Sequence, residues 1–250
     1  DTEYEAGVEM GKFFADKGIK TAAIYGAFIP NPMHVYRTAG VLAGLGLSYG
    51  GATTEEDVVG LIFADQGIDL SKISGDIKIV SYLQGYGDTT TDEINAAIQA
   101  APEAFISVGM ATTFFTQQLN AAGIEFSDID SFTKSNGEAI TNGKLVYLAG
   151  KYSSSVGPAF ALVMNAINGN VIRDAQGNAV SLSQNYQVAT DSETFDKFYK
   201  NDNGDNPIYS RDTLDQIIGD TVTFDTINEV VASNSVSYTH LRAHETSAHL

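Results

Sequence analysis

The sequence predicts an α/β fold, a doubly wound parallel sheet. Three observations predict it. Short apolar runs alternate with amphipathic segments from residue 3 to about residue 130. Each of the clearest runs leads into a Gly- or Pro-bearing loop and then a helical pattern, the order of a βαβ unit. With 250 residues at 43% hydrophobic and 18% charged, the chain is long and apolar enough to bury the core such a sheet needs.

The elements follow in order. Thr2-Glu3-Tyr4-Glu5 is a capping box, and Tyr4, Val8, Gly11 and Phe14 recur at helical spacing until Gly18, so a helix covers about residues 3–17. Residues 20–26 read as a strand, residues 27–32 as a loop, and Val35, Tyr36, Ala39 and Leu42 as the next helix. The pattern repeats with a strand at 77–83, the loop Gly85-Tyr86-Gly87-Asp88, and a helix that Thr90-Thr91-Asp92-Glu93 can cap, running to Pro102. A strand at 104–108, a helix at 112–122 closed by Gly123, and a strand at 124–130 complete it. Beyond this the rhythm loosens. Residues 143–148 read as a strand, and Ser153 to Pro158 lead into an almost wholly apolar helix at 159–167, which must be buried against something. Asp174-Ala175-Gln176-Gly177-Asn178 lies between short apolar runs as a hairpin turn, and helical stretches follow near 191–199 and 211–218.

Charge and composition exclude several functions. A net charge of -17 repels phosphate backbones and anionic lipid surfaces, so nucleic-acid binding is not expected. The absence of Cys removes disulfides, thiolate metal sites and Cys nucleophiles together. No apolar run approaches the roughly 18 residues of a membrane span, so no membrane insertion is expected either. Asp1 opens the chain with neither Met nor a leader, which reads as a mature or truncated product.

Candidate motifs each have two readings. Gly46-Leu47-Ser48-Tyr49-Gly50 has the spacing of a nucleophile elbow. Its glycines follow a helix and open a strand, the reverse of that context, and His34 lies upstream, so a helix C-cap and turn is the better reading. Glu55-Glu56-Asp57 and Asp128-x-Asp130 are either paired carboxylates or a solvated helix start and strand end, and the second is favoured in so acidic a chain. Residues 202–207 have calcium-loop flavour without the spacing of an EF-hand, and read as a turn. His240-x-x-x-His244 has zinc spacing but no third ligand upstream, in a tail whose composition departs from everything before it. That tail, residues 236–250, resembles translated sequencing-adapter read-through and is set aside.

Arg37 lies one turn into the helix after a strand-end loop, where a guanidinium clamps a hydroxyl pair or carboxylate, or else is a surface arginine. Tyr86, between two glycines after the next sheet strand, stacks on a sugar or base or else shields the core. Lys151 follows the strand at 144–149 and points into the same cleft or snorkels at the surface.

Taken with Tyr4-Glu5-Ala6-Gly7-x-x-x-Gly11, Thr21-Ala22-Ala23-Ile24-Tyr25-Gly26, Arg37-x-x-Gly40, Gly85-Tyr86-Gly87-Asp88, residues 102–106, Ala121-Ala122-Gly123, residues 142–145 and residues 166–169, the order of elements resembles the type I periplasmic-binding-protein superfamily. That superfamily includes sugar and nucleoside receptors of ABC importers and effector domains of lac-repressor type. The resemblance covers about residues 1–190. It implies two α/β lobes around a ligand cleft, with residues 1–150 as the second lobe, 151–235 as a return segment packing on the first, and 236–250 as a non-native tail. The chain is then a fragment lacking most of the amino-terminal lobe, with the export signal and any anchor. By the same resemblance Arg37 matches the ligand-clamping arginine and Tyr86 the stacking aromatic. Val108-Gly109 stands where sugar receptors carry Asn-Asp, and Ser131-Phe132-Thr133 where they carry an Asp, so Gly109 and Thr133 occupy ligand positions with changed chemistry. Asp130-Ser131 and the strand end bearing Lys151 are similar to the basic-membrane-protein branch, which binds nucleosides. The implied function is a non-enzymatic, extracytoplasmic solute-binding protein of an ABC importer, with no cofactor. Its partners are a small polar ligand, sugar or nucleoside, and the importer's membrane subunits. A nucleoside receptor, or the effector-sensing domain of a regulator or chemoreceptor, is the alternative.

Overall fold

The computed structural model describes residues 2–85, 91–204 and 207–234. They fall into two compact units, one made of Asp1–Asp130, Lys134–Ala149 and Thr190–Ser192, the other of Ser131–Thr133, Gly150–Ala189 and Glu193–Leu250.

In the first unit the chain runs α1 (Thr2–Asp16), β1 (Thr21–Tyr25), α2 (Pro32–Gly44), β2 (Ser48–Tyr49), α3 (Glu55–Asp65), β3 (Ile73–Ser74) and β4 (Lys78–Leu83). It continues through α4 (Thr91–Gln99), β5 (Ala104–Ser107), α5 (Ala111–Phe114), α6 (Thr116–Ala122), β6 (Glu125–Ile129), α7 (Lys134–Asn142) and β7 (Leu145–Gly150). Strands β4, β1, β5, β6 and β7 lie side by side in that order, every pair parallel. The predicted parallel sheet is therefore present. Strand β1 sits between β4 and β5, so the chain steps to one side of β1 and then crosses to the other. The carboxyl ends of β1 and β5 are the topological switch point of the sheet. Central strands β1 and β5 are buried almost throughout, as strands covered on both faces must be.

Helices α1 and α2 meet backbone to backbone. A Cβ placed on Gly7 would lie 2.1 Å from the Arg37 carbonyl oxygen, and one on Gly11 2.5 Å from that of Val41. From the other side, a Cβ on Gly40 would lie 2.1 Å from the Tyr4 carbonyl oxygen and one on Gly44 2.2 Å from that of Val8. Two ridges of glycine face each other, and no side chain fits between them.

The helix expected at 112–122 is instead two, α5 and α6, broken at Phe115. That ring turns inward, 5.0 Å from Tyr25 and 5.9 Å from Phe105 between centroids, and this packing costs the helix its continuity. Asp128, read as part of a solvated strand end, is fully buried, because the next parallel strand covers β6 and the Ala111–Phe114 turn closes over it. Helix α7 carries no strong apolar period, with Asn136, Gly137 and Ala139 as its buried face, so periodicity did not reveal it.

The second unit contains α8 (Gly157–Ile167), β8 (Gln187–Ala189), most of α9 (Ser192–Asn203), α10 (Arg211–Asp215) and α11 (Phe224–Asn234). Ala161, Ile217, Ile227 and Val231 form its buried centre. Buried Asn165 ties α8 to the loop after α10, donating to the Ile217 carbonyl and accepting from Gly219 N–H, both at 2.8 Å. A second cluster stacks Phe132, Tyr152 and Phe198, with centroids 5.2–6.1 Å apart. The hairpin expected around 174–178 reduces to one bridge, Arg173 to Ala179, around an Asp174-capped turn. Helix α8 is not buried on all sides: Val156, Phe160, Val163 and Ile167 are 66%, 49%, 57% and 71% exposed along one stripe.

The glycine contact gives a direct test. Gly40→Ala is expected to lower unfolding stability by about 3 kcal/mol, since the added methyl meets helix backbone rather than a movable side chain. Gly60→Ala, on α3 with open space around it, is expected to leave stability the same or higher in the same denaturant titration.

Candidate functional site

The carboxyl ends of β1 and β5 gather the polar groups of the first unit. After β1 the chain turns through residues 26–31, and Asn31 caps α2 by accepting from Met33 N–H at 3.0 Å. The first turns of α2 thus start beside the switch point. They carry His34 and Arg37, three residues apart and on one helical face.

Both side chains are buried. Arg37 donates from Nε to Glu3 of α1 at 2.7 Å and from NH1 to the Val108 carbonyl at 2.9 Å. The guanidinium therefore ties α1, α2 and the turn after β5 together. His34 Nδ1 lies 2.9 Å from the Phe28 carbonyl oxygen and 3.0 Å from Phe28 N, which fixes the ring against the loop. Burial holds the His34 pKa below its ordinary value and Arg37 adds to that, while the Phe28 hydrogen bond and Glu3 oppose it. The imidazole is uncharged at neutral pH.

Gly109 completes the corner. A Cβ placed there would lie 3.6 Å from Arg37 NH1, 3.6 Å from the Ile129 carbonyl oxygen and 3.7 Å from His34 Nε2. Three polar groups converge on the face of one glycine. Met110 follows at φ 69, a left-handed conformation that costs a non-glycine residue about 1 kcal/mol.

Beneath the turn lies Asp128. Its Oδ2 accepts from Thr112 N–H at 2.7 Å and from the Thr112 hydroxyl, and its Oδ1 accepts from Ile129 N–H at 3.0 Å and from Ser107 Oγ at 3.1 Å. Burial pushes its pKa up to about 6, against the lowering effect of the Thr112 hydrogen bonds, and nearby Asp130 raises it further.

Of the residues expected at a ligand site, Arg37 and Gly109 are brought together. Thr133 and Lys151 belong to the second unit. Thr133 is exposed beside buried Phe132, its N–H donating to the Ser131 carbonyl at 3.0 Å. Lys151 holds its ammonium 4.4 Å from the centre of the Tyr186 ring, a cation–π contact. Tyr86 lies outside the described residues, as do Asp205 and Asn206 of the calcium-like loop and the tail histidines His240, His244 and His249. Ser48 opens β2, and its hydroxyl donates to the Ser74 carbonyl at 3.4 Å, which leaves the elbow motif a helix end and turn. His34 was not singled out as a ligand residue, although its place one turn before Arg37 on the same face was a usable signal. A depression of about 650 Å³ lined by Ser71, Ile73, Ser74 and Lys78 lies toward the amino end of β4, at the other end of the strands from this corner. Among the described residues no cluster of His, Asp or Glu could hold a metal ion, and no helix is long and apolar enough to cross a membrane.

Two outcomes follow from this geometry. Arg37→Met is expected to cost about 2 kcal/mol in unfolding stability, because Glu3 and the Val108 carbonyl each lose a charged donor. The raised value of Asp128 means that its protonated form favours folding. The contribution is complete below the usual aspartate value of 3.8 and is lost as the pH rises through about 6. Relative to Asp128→Asn, the wild type is expected to lose up to about 3 kcal/mol between those limits, read by denaturant titrations across the range.

No family model matches the sequence, and no curated protein matches it. Solved structures do. One is a periplasmic solute-binding protein of an ABC transporter from Actinobacillus succinogenes with bound D-allose, 15% identical, TM-score 0.54, covering 79% of this chain and 61% of that one. Another is the periplasmic binding component of the arabinose ABC transporter from Shewanella, bound to L-arabinofuranose, 17% identical, TM-score 0.54, covering 81% and 61%. A third, a twin-arginine translocation pathway signal protein from Burkholderia phytofirmans, is 13% identical with TM-score 0.55, covering 84% and 61%. The chain thus spans 61% of the length of each of these proteins. With its parallel sheet and its polar corner at the switch point, the chain has the fold of the type I periplasmic binding proteins.

Proposed function

We propose that the chain is the solute-binding part of an extracytoplasmic receptor of an ABC importer. It takes a small polar ligand of the sugar or nucleoside class, without chemistry on it. The observation that carries this reading is the corner at the sheet's switch point, where Arg37, His34 and the Gly109 turn converge on the place where open α/β sheets bind ligands. A guanidinium and a neutral imidazole suit hydroxyls, and Gly109 leaves them room. Phe28, 43% exposed in the loop that His34 braces, supplies a ring face for a sugar or base. The bound solutes of the allose and arabinofuranose receptors are consistent with this class.

In this reading the chain supplies one lobe and the return segment of a two-lobed receptor. The α8 stripe supports it, since an apolar helix face of that extent is a packing surface. Lys151 and Thr133 of the second unit stay proposed ligand contacts, and the membrane subunits of the importer recognise the ligand-bound form.

The test is a thermal-shift screen against pentoses, hexoses, nucleosides and amino acids, run on the 250-residue chain and on the complete gene product. Ligand at a hundred times its Kd is expected to add about 2.7 kcal/mol of stability for one class. Phe28→Ala is expected to weaken a ring-bearing ligand by about 1–3 kcal/mol in calorimetric titration. No shift with any class would overturn the small-solute reading, and a shift with amino acids alone would replace the ligand class.

A further inference from the structure

The buried groups under the Gly109 turn form a continuous chain of hydrogen bonds in which two hydroxyl hydrogens each have two acceptors in reach. Gly109 N–H donates to Ser107 Oγ at 3.1 Å. The one hydrogen of Ser107 Oγ has two acceptors in reach, Asp128 Oδ1 at 3.1 Å and the Gly109 carbonyl at 3.2 Å. On the far side of Asp128, the one hydrogen of the Thr112 hydroxyl also has two acceptors, Asp128 Oδ2 and, at 3.3 Å, Asp130 Oδ2. A hydroxyl cannot donate to two carboxylates at once. With both ionised, one oxygen pair faces without a hydrogen. One added proton resolves this: Asp128 Oδ2–H donates to Thr112 Oγ1, and Thr112 Oγ1–H donates to Asp130 Oδ2. The contact between the Thr112 hydroxyl and Asp130 then holds a hydrogen.

We propose that Asp128 is a positioning residue for the 108–110 turn. It shares one proton with Asp130 through the Thr112 hydroxyl, and that proton turns the Ser107 hydroxyl from Asp128 to the Gly109 carbonyl. When Asp128 is ionised, it draws the Ser107 hydrogen inward. When it is protonated, Ser107 closes on both the N–H and the carbonyl of Gly109, the residue against which Arg37 NH1 and His34 Nε2 lie. The elements around Asp128 add little competing charge. Strand β5, helices α5 and α6 and strand β7 carry no charged residue, Tyr147 of β7 has its pKa raised by burial, and Glu125 at the start of β6 pairs with Lys17, so Asp130, the residue after β6, is the charged neighbour. Beyond the turn, α2 contributes His34 and Arg37. Burial raises the Asp128 pKa to about 6, so the two arrangements exchange across mildly acidic pH.

The consequence for a ligand rests on the cleft reading above, while the proton sharing does not. The test is a carbon-detected NMR titration of side-chain carboxyls in the 250-residue chain, with the Gly109 and Thr112 amides followed in parallel. Asp128 is expected to titrate at least one pH unit above an ordinary aspartate, and the Gly109 amide to move with the same midpoint. Asp130→Asn is expected to lower the Asp128 midpoint by at least half a unit. Ser107→Ala is expected to silence the Gly109 response while Asp128 still titrates, an outcome that a merely structural Asp128 would not give. An ordinary Asp128 midpoint, a midpoint indifferent to Asp130→Asn, or a Gly109 amide silent in the wild type would each overturn the proposal. Thermal shifts with L-arabinose and with adenosine at pH 5 and pH 8 separate the two readings. If neither ligand shifts the transition at either pH while the titration behaves as expected, the proton-sharing pair is upheld and the binding reading falls.

Discussion

The contact between α1 and α2 is the constraint on which the rest of the first unit depends. Four glycines bring two helix backbones to a separation that any larger residue would forbid. At that separation Glu3 reaches Arg37 across the helix pair, and Arg37 in turn reaches the carbonyl at the end of β5. A wider spacing would leave a buried guanidinium with one partner fewer, at a cost that surface ion pairs never incur. Packing of four residues without side chains thus sets the position of a buried guanidinium. The turn after β5 is held from two directions, by Arg37 on one side and by Asp128 through Ser107 and Thr112 on the other. Between the two anchors Met110 is kept in a backbone conformation that its side chain disfavours.

Much of the sheet was legible in the sequence because its signals are local. Strands such as Thr21–Tyr25 and Ala104–Ser107 are short apolar runs bounded by turn residues, and helices such as Thr2–Asp16 announce themselves by caps. What escaped depended on tertiary context. The break at Phe115 exists because a ring finds Tyr25 and Phe105, residues remote in sequence. Helix α11 had a readable period in Phe224, Ile227, Val230 and Val231, and a Thr223 hydroxyl that accepts from Thr226 N–H, but it lies beyond the last stretch read as helical. Strand Gln187–Ala189 is three residues long, too short for any pattern.

The site shows the same division. Arg37 could be singled out because helix after loop after strand is a positional signal, and Gly109 because a family pattern drew attention to it. Asp128 could not. In Phe126-Ser127-Asp128-Ile129-Asp130 alternation argues for a carboxylate at a wet strand end, and nothing local says that a neighbouring turn covers it. Burial of a charge is a property of what packs around it, and only the fold supplies that.

The α8 stripe has a further consequence for how the chain behaves in solution. Between Lys151 and Arg173 no residue is charged, in a chain whose net charge is -17. Long-range repulsion between molecules comes from everywhere except this face, so its strength sets how often two such faces meet. Near the isoelectric point of about 4.4 that repulsion vanishes while the exposed Val163 and Ile167 remain. Self-association through this face is therefore opposed by net charge, and that opposition weakens with acid and with salt.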